Sequence, residues 1–468
     1  MSQIALRVAA SGLDVLIAAY LVGLSLILVI GGVDLGVLQV HEPAKPVLIL
    51  LLLVPVRVAL GGGTWLPQLT QQATRHALGA WERLRAHISP AVLETLAAVV
   101  VIRAASLSAA FLANIIFAPA MPRGFALPFA NAKFAEIFVA WDSGWYWDIA
   151  TRGYYFRPDA QSSIAFFPLY PMLMRAVAAP FGGGAGATWI AGIAVSLVAY
   201  LLALAAIHQF TERVFGSRDI ARRTVLFMAV FPWSVFHTRV YPESLFLLTS
   251  VLAIGRAWDG KWRQAGVWGA LATLTRPNAI LIAIPLVLLA AAGRPPLRTL
   301  VTRLIALAPV PAAFAGFSAY AYSLSGEPLG WMAAQSHWGY SLGHLPWQTL
   351  QQLIGDLIEH GPYGYFFISD AAPFELFHGI AALIFLGLTP LVFRRLGPAM
   401  GAYVLASLLL PLSSNALEGV GRYASVLFPV FMLAGSMTSP RQHEAIVRVS
   451  LVFQVLFACL FVTWHPIY

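Results

Sequence analysis

Residues 187–207 read A-T-W-I-A-G-I-A-V-S-L-V-A-Y-L-L-A-L-A-A-I, an unbroken run without a charged side chain. Coiled as an α-helix at about 1.5 Å per residue, the run spans roughly 31 Å, the thickness of a bilayer's hydrocarbon core. Its apolar residues do not alternate, so it does not describe a β-barrel strand. Outward from it, apolar blocks of about 17 to 25 residues recur, each long enough to cross a membrane as a helix. Thirteen candidate spans begin near residues 12, 46, 93, 187, 224, 243, 264, 277, 304, 373, 397, 423 and 447. The expected fold is an all-α polytopic membrane protein.

Composition points the same way. Of the 468 residues 59% are hydrophobic and only 10% charged, against roughly 25% charged in an ordinary globular domain. So few charges cannot cover a soluble surface. The net charge of +9 raises the question of nucleic acid. The basic residues instead fall in short clusters between apolar blocks, as topology signals do, and no nucleic-acid partner is expected. Cys459 stands alone inside the last block, which excludes an intrachain disulfide and a thiolate metal cluster. The first block, about residues 12–32, follows a single basic residue, Arg7. It is too long for a signal-peptide core and no small-residue cleavage site follows, so it is expected to be retained as a span.

Charge orients the spans. With a cytoplasmic N-terminus, the inside loops carry Arg75, Arg83 and Arg85; Arg213, Arg218, Arg222 and Arg223; Arg256, Lys261 and Arg263; Arg294, Arg298 and Arg303; Arg394 and Arg395; and Arg441 and Arg448. Every inside loop then holds at least two basic residues, as the positive-inside rule requires. The segment Phe166–Gly182 is apolar enough to count as another span, but that would invert every later loop. Pro168, Pro171, Pro180 and Arg175 also interrupt it, so an interfacial or re-entrant helix is expected there. Two long stretches rich in aromatic residues, Gly and Pro, about 119–186 and 325–372, are expected to be irregular external loops. The chain thus divides into a two-span extension over 1–90, a core over 91–440, and a last span with the C-terminus over 441–468.

The external side gathers the ionisable residues. Asp142 and Asp148 stand in W-D-S-G-W-Y-W-D at 141–148, followed by Arg152 and Tyr154. Arg239 and Glu243 flank Y-P at 241–242, and Arg276 lies in T-R-P-N at 275–278. Gln335, His337 and Trp338 fall in the second long loop, and Glu418 and Arg422 in E-G-V-G-R-Y. Convergence on one face suits a site at the membrane surface better than a permeation path. Each residue also has a plainer reading. Trp and Tyr at a membrane edge commonly form an interfacial belt. Asp142 is well placed to cap a helix, and so is Glu243 after Pro242. Asp142 and Asp148 are six apart and share no helical face, which argues against a paired-carboxylate site. Arg276 and Arg422 have the alternative of snorkelling to lipid headgroups. Arg103, inside the third block, is best read as one half of a buried structural pair. His208 and His237 are read as helix-end residues, and His337 as a loop hydrogen-bonder or a ligand. H-E-x-x-H, C-x-x-C, the EF-hand loop, the Walker A loop and G-x-S-x-G are all missing. No metal or other cofactor is required, although Asp142, Glu243 and a phosphate together offer ligands for a divalent cation.

The run W-D-S-G-W-Y-x-x-I-A-x-x-G-Y, then A-F-F-P-L-Y-P at 165–171, resembles the PIG-V-like (GPI mannosyltransferase II-type) mannosyltransferases. So do Y-P-E-S-L-F at 241–246, T-R-P-N at 275–278, A-Q-S-H-W-G at 334–339 and G-R-Y-x-x-x-L-F-P at 421–429. These enzymes belong to the GT-C superfold of polytopic glycosyltransferases, and the likeness runs over about residues 90–440. It implies inverting transfer of a sugar, mannose on the family's pattern, from a polyprenyl-phosphate donor to an acceptor hydroxyl. Transfer would occur on the extracytoplasmic side, for a bacterial chain outside the inner membrane. By position in the family motifs, Asp142 is the general base, and Glu243 is a second catalytic carboxylate facing the same cavity that orients the acceptor or assists the base. Arg276 and Arg422 are the donor-phosphate ligands. Trp141, Trp145, Asp148, Tyr154, Gln335, His337 and Trp338 are expected to line the substrate. The chemistry suits these types: a carboxylate takes the acceptor proton, and arginine forks meet the charge growing on a leaving phosphate. Inversion needs one base, unlike the carboxylate pair of a retaining hydrolase. Two rival classes are a transporter or flippase of a lipid-linked sugar and a non-catalytic subunit of a glycosylation complex. The first predicts mid-membrane polar groups and inverted repeats, and no repeat is evident in the sequence.

Overall fold

A computed structural model describes residues 89–467 apart from 123, 126, 129–132, 341–342, 368–372 and 415–416. It also describes a short antiparallel pairing of Val33–Asp34 with Gln39–Val40. The two spans expected in 1–90 lie outside the described residues. From residue 89 onward the regular structure is helical: α1 Pro90–Ile116, α2 Ser143–Arg152, α3 Leu169–Ala178, α4 Ala185–Phe215 and α5 Arg218–Val230 come first. Then follow α6 Glu243–Trp258, α7 Trp262–Thr273, α8 Ala283–Ala291, α9 Leu297–Leu307, α10 Pro309–Ser325 and α11 Pro346–Phe367. The chain ends with α12 Pro373–Leu396, α13 Pro398–Leu412, α14 Val420–Ser425, α15 Phe428–Met437 and α16 Pro440–Val462.

Among the described residues, five helical stretches are long and apolar enough to cross a membrane: 90–116, 185–215, 297–325, 374–396 and 440–462. The helices found near the other expected starts within the core are shorter. Local chemistry sets the ends. The Ser89 hydroxyl accepts the Val92 amide at the start of α1, and Ser439 forms a reciprocal capping box with Gln442 at the start of α16. Gly216 closes α4 in the left-handed conformation at φ 65°, which a side chain resists.

The polar motifs lie where proline interrupts this helical packing. After α5 the backbone tightens into a 3-10 stretch, Pro232–Thr238, and α6 begins only after Pro242. Between α7 and α8 lies a second 3-10 stretch, Pro277–Ile282. Irregular backbone at such depth persists only when protein or a cavity satisfies its polar groups. Glu243 opens α6 and Arg256 lies in its last turn, so the helix separates the acid from the basic residue by about 20 Å.

The segment expected not to span forms only the ten-residue α3 and a 3-10 turn. At about 15 Å, α3 covers half a hydrocarbon core. The expectation of irregular loops needs correction. Helices α2 and α3 occupy part of 119–186, while Gly330–Gln335 and α11, which is kinked at Gly361 (φ 63°), occupy much of 325–372. Helix α11 packs Leu353 inward while the apolar Trp347, Ile354 and Ile358 face outward, so apolar side chains lie on more than one of its faces. Its scattered Gln, Asp, Glu and His conceal the helix from a search for unbroken apolar blocks.

Candidate active site

Asp142 occupies the N-cap position of α2, but its side chain makes no capping hydrogen bond. Its carboxylate instead accepts from Arg422 at 2.9 Å, Nη1 to Oδ2. The loop carrying it is pinned from outside. The Asp142 amide donates to the Tyr241 hydroxyl at 3.1 Å, and that hydroxyl donates to the Ala140 carbonyl at 3.0 Å. Trp141 adopts a left-handed φ of 55°, an uncommon conformation for a large side chain and one that concentrates at functional sites.

Glu243 is fully buried directly behind this pair. Its Oε1 accepts from Arg422 Nε at 2.9 Å and lies 2.8 Å from Arg422 Nη2. Arg276 Nη1 lies 3.4 Å from the same oxygen. The other oxygen, Oε2, is buried without a hydrogen-bond partner. The planar guanidinium of Arg422 therefore joins two carboxylates, a geometry lysine's point charge would not reproduce. Aromatic rings complete the setting: Arg422 lies 4.9 Å from the Phe236 centroid and 4.8 Å from that of Tyr241, and Arg276 stacks 4.6 Å over Tyr423.

Close packing sets the position of Arg422. A Cβ on Gly421 would lie 2.0 Å from the Trp233 ring, so only glycine lets α14 approach so closely. Trp233 is held in turn by its hydrogen bond to the Ile467 carbonyl at 3.1 Å.

A cavity of about 1070 Å³ opens beside this cluster. Of the residues singled out in the sequence, Trp141, Asp142, Trp145, Arg276, Gln335, His337, Trp338 and Arg422 lie on its wall. Glu243 does not: it sits behind the wall and holds the two arginines. At one end Trp145 stacks on Phe166 (5.6 Å, 14°) and meets Trp338 edge-on at 5.3 Å. His337 is exposed, and Gln335 reaches the Ala165 carbonyl.

Two expected substrate residues lie elsewhere. Asp148 pairs with the exposed Arg152 at 3.0 Å, one helical turn on. Tyr154 donates to the Phe166 carbonyl at 2.9 Å and packs on Phe317 and Tyr320, so it supports the wall from outside. Arg239 is also buried away from the cavity wall, against Phe138 and Phe461. Arg103 bonds the Tyr200 hydroxyl at 2.8 Å and the Ala229 carbonyl at 2.9 Å, the structural role read for it. Sequence reasoning missed Tyr241, Tyr340 and Tyr423. Two of them lie inside recognised motifs, Tyr241 in Y-P-E-S and Tyr423 in G-R-Y, and that membership was the available signal. Among the described residues, no group of three or more His, Cys, Asp and Glu side chains is arranged to hold a metal ion.

Fold and site together define a multi-pass helical membrane protein with an ion-paired acid–arginine cluster on the wall of a large cavity. Residues 91–292 match the family model described as Mannosyltransferase (PIG-V). That span contains Asp142, Glu243 and Arg276, whereas Arg422 and the motif at 334–339 fall beyond it. GPI mannosyltransferase 2 of Yarrowia lipolytica is 30% identical over 159 residues, 34% of this chain and 42% of that protein. The matched region thus spans less than half of that relative. Among solved structures, ArnT from Cupriavidus metallidurans bound to undecaprenyl phosphate aligns with a TM-score of 0.46 at 14% identity, covering 79% of this chain and 76% of that one. The Archaeoglobus fulgidus oligosaccharyltransferase in the apo form gives a TM-score of 0.46 at 13% identity, over 80% of this chain and 56% of that one.

Proposed function

We propose that the protein is a membrane glycosyltransferase of the GT-C type. It would move a sugar, mannose by family likeness, from a polyprenyl-phosphate donor to an acceptor hydroxyl outside the cytoplasmic leaflet. The observation that carries this reading is the Asp142–Arg422 ion pair on the wall of a cavity large enough for two sugar rings. The family match and the Yarrowia relative support mannose.

The residues divide the work as the chemistry asks. The acceptor oxygen attacks the anomeric carbon, and its proton passes to the Asp142 carboxylate. The bond from that carbon to the phosphate oxygen breaks, and the polyprenyl phosphate leaves with the electron pair. Arg276 and Arg422 meet the charge that grows on it. An incoming phosphate competes with Asp142 for Arg422 Nη1, so donor binding frees the base as it occupies the cation. Glu243 is a positioning residue that keeps both guanidinium groups in place. Ile280, Leu281, Phe314 and Leu410 supply an apolar side of the cavity suited to the polyprenyl chain. Trp145, Phe166 and Trp338 offer ring faces to a sugar.

The test uses membranes containing the full chain and radiolabelled polyprenyl-phosphate mannose. Labelled product that forms with the wild type and is lost with Asp142→Asn supports the enzyme. Transport of the intact labelled lipid without transfer would replace this reading with the flippase.

A further inference from the structure

A second carboxylate lines the same cavity and takes no part in the steps above. Glu418, half-buried in the turn between α13 and α14, shares the wall with Asp142, Arg422 and the half-buried Tyr340. Backbone geometry brings these groups together. Gly419 has φ +83°, and a Cβ built there would lie 3.3 Å from the Tyr423 ring and 3.7 Å from the Tyr340 hydroxyl oxygen. The phenol therefore packs against the backbone that carries Glu418. Burial foremost, then the neighbouring Tyr423, Asp142 and Glu418, pushes the Tyr340 phenol upward, with Arg422 opposing. Tyr340 thus lines the same wall as the Asp142–Arg422 pair and packs at the backbone next to Glu418.

What distinguishes the two is a lack of partners. Asp142, Glu243, Arg276 and Arg422 engage one another. Among the described residues, neither the Glu418 carboxylate nor the Tyr340 hydroxyl has a hydrogen bond or ion pair. Leaving a carboxylate half out of water without a partner is unfavourable, so a ligand that supplies hydrogen bonds is the natural complement. The chemistry of the wall selects among ligands. A cation would face Arg276 and Arg422 across the same cavity, and a phosphate would go to those arginines. A neutral polyhydroxylated ring fits: its hydroxyls donate to Glu418 and both donate to and accept from Tyr340.

We propose that Glu418 and Tyr340 form the hydroxyl-recognition subsite for the sugar being transferred. Both line the cavity wall that carries the Asp142–Arg422 pair, and this sets them toward the ring bonded to the donor phosphate. This rests on the glycosyltransferase reading and names the part of the site that recognises the donor sugar.

A double-mutant cycle between protein and donor tests it. The full-length chain, wild type and Glu418→Ala, is titrated with polyprenyl-phosphate mannose and with its 2-, 3-, 4- and 6-deoxy analogues. Binding is read by quenching of the cavity tryptophans, and transfer is measured in parallel. With the parent donor, Glu418→Ala should weaken binding roughly 10- to 100-fold. One deoxy donor should lose a similar factor on the wild type and under threefold more on the variant. Tyr340→Phe should couple to the same or an adjacent hydroxyl, and Glu418→Gln replaces the alanine variant if that fails to fold. Additive losses for every analogue in both Glu418 and Tyr340 variants overturn the subsite. Coupled binding without sugar transfer keeps the subsite and overturns the enzyme reading instead. A wild type that binds none of the donors overturns both.

Discussion

Arg422 and Asp142, 280 positions apart in the chain, meet in an ion pair of 2.9 Å on the cavity wall. The same guanidinium is held from behind by Glu243. Asp142 is thus aimed by a residue that is itself fixed, the arrangement that keeps a catalytic group within a few tenths of an ångström of its working position. Asp142→Asn keeps the volume and a hydrogen-bond acceptor for Arg422 but cannot take a proton. Transfer should fall by about 10²- to 10⁴-fold, the usual share of a general base. Donor binding should change far less, because the phosphate ligands remain. Single-turnover transfer and tryptophan quenching on one preparation separate the two. Near wild-type turnover would remove Asp142 from the role.

Glu243 carries a structural burden that Asp142 does not. It is fully buried and faces two arginines, so its neutralisation leaves Arg276 without its carboxylate and Arg422 with Asp142 alone. Removing one partner of a buried pair costs about 3–5 kcal/mol. Glu243→Gln should therefore lower the melting temperature of the detergent-solubilised protein and abolish transfer together. The comparison with Asp142→Asn is the discriminating one: only the Glu243 variant should melt early. Equal melting temperatures for the two would mean that the arginines are held by other contacts.

Much of this was legible in the sequence, for identifiable reasons. A run such as 187–207 has no alternative to an apolar helix, and α4 covers it. Glu243 follows Pro242 and Arg276 precedes Pro277, each at a break between helices, so those two motifs announced positions where backbone is irregular. The mutual arrangement of Asp142, Glu243, Arg276 and Arg422 was not legible. That Glu243 lies behind the wall, while Asp142 and Arg422 lie on it, depends on Gly421 seating α14 against Trp233. Nothing local to either residue encodes that contact. Asp148 failed for the opposite reason. Its neighbour at i+4, Arg152, satisfies it within its own helix, a pairing the sequence displayed and the motif obscured.

The seating of α14 can be tested by a single methyl group. In Gly421→Ala the new Cβ would overlap the Trp233 ring, which is buried and tied to Ile467. Overpacking of a tight core costs about 1–3 kcal/mol, relieved only by moving one of the elements. The element free to move is the short α14, which carries Arg422. A displacement of about 1 Å is enough to cost transfer roughly a hundredfold. Melting should therefore fall modestly and activity steeply. Trp233→Phe combined with Gly421→Ala should recover part of the activity by reopening the space. If the double variant is no better than the single, Trp233 is not what the glycine accommodates.

Glu418 gives a pH dependence whose sign follows from its surroundings. Burial holds its carboxyl above the ordinary value of 4.5. The titratable neighbours are Glu375 on α12 and Tyr340. A carboxyl that binds its proton more tightly folded than unfolded stabilises the fold when protonated. That contribution is fully present below the unfolded value and is lost as pH rises through the folded one. At neutral pH the ionised Glu418 therefore costs stability, and Glu418→Gln, neutral at every pH, should melt higher than the wild type. The gap should narrow as the pH falls and close below the ordinary value of 4.5, where the carboxyl is protonated in the folded and unfolded chain alike. Transfer should move the other way, with the more stable variant the poorer enzyme, as expected where a polar group is kept for a ligand rather than for the fold. Melting curves of the two proteins between pH 4 and pH 8 decide it. A gap that widens toward acid would mean that Glu418 is paired with a cation in the folded protein.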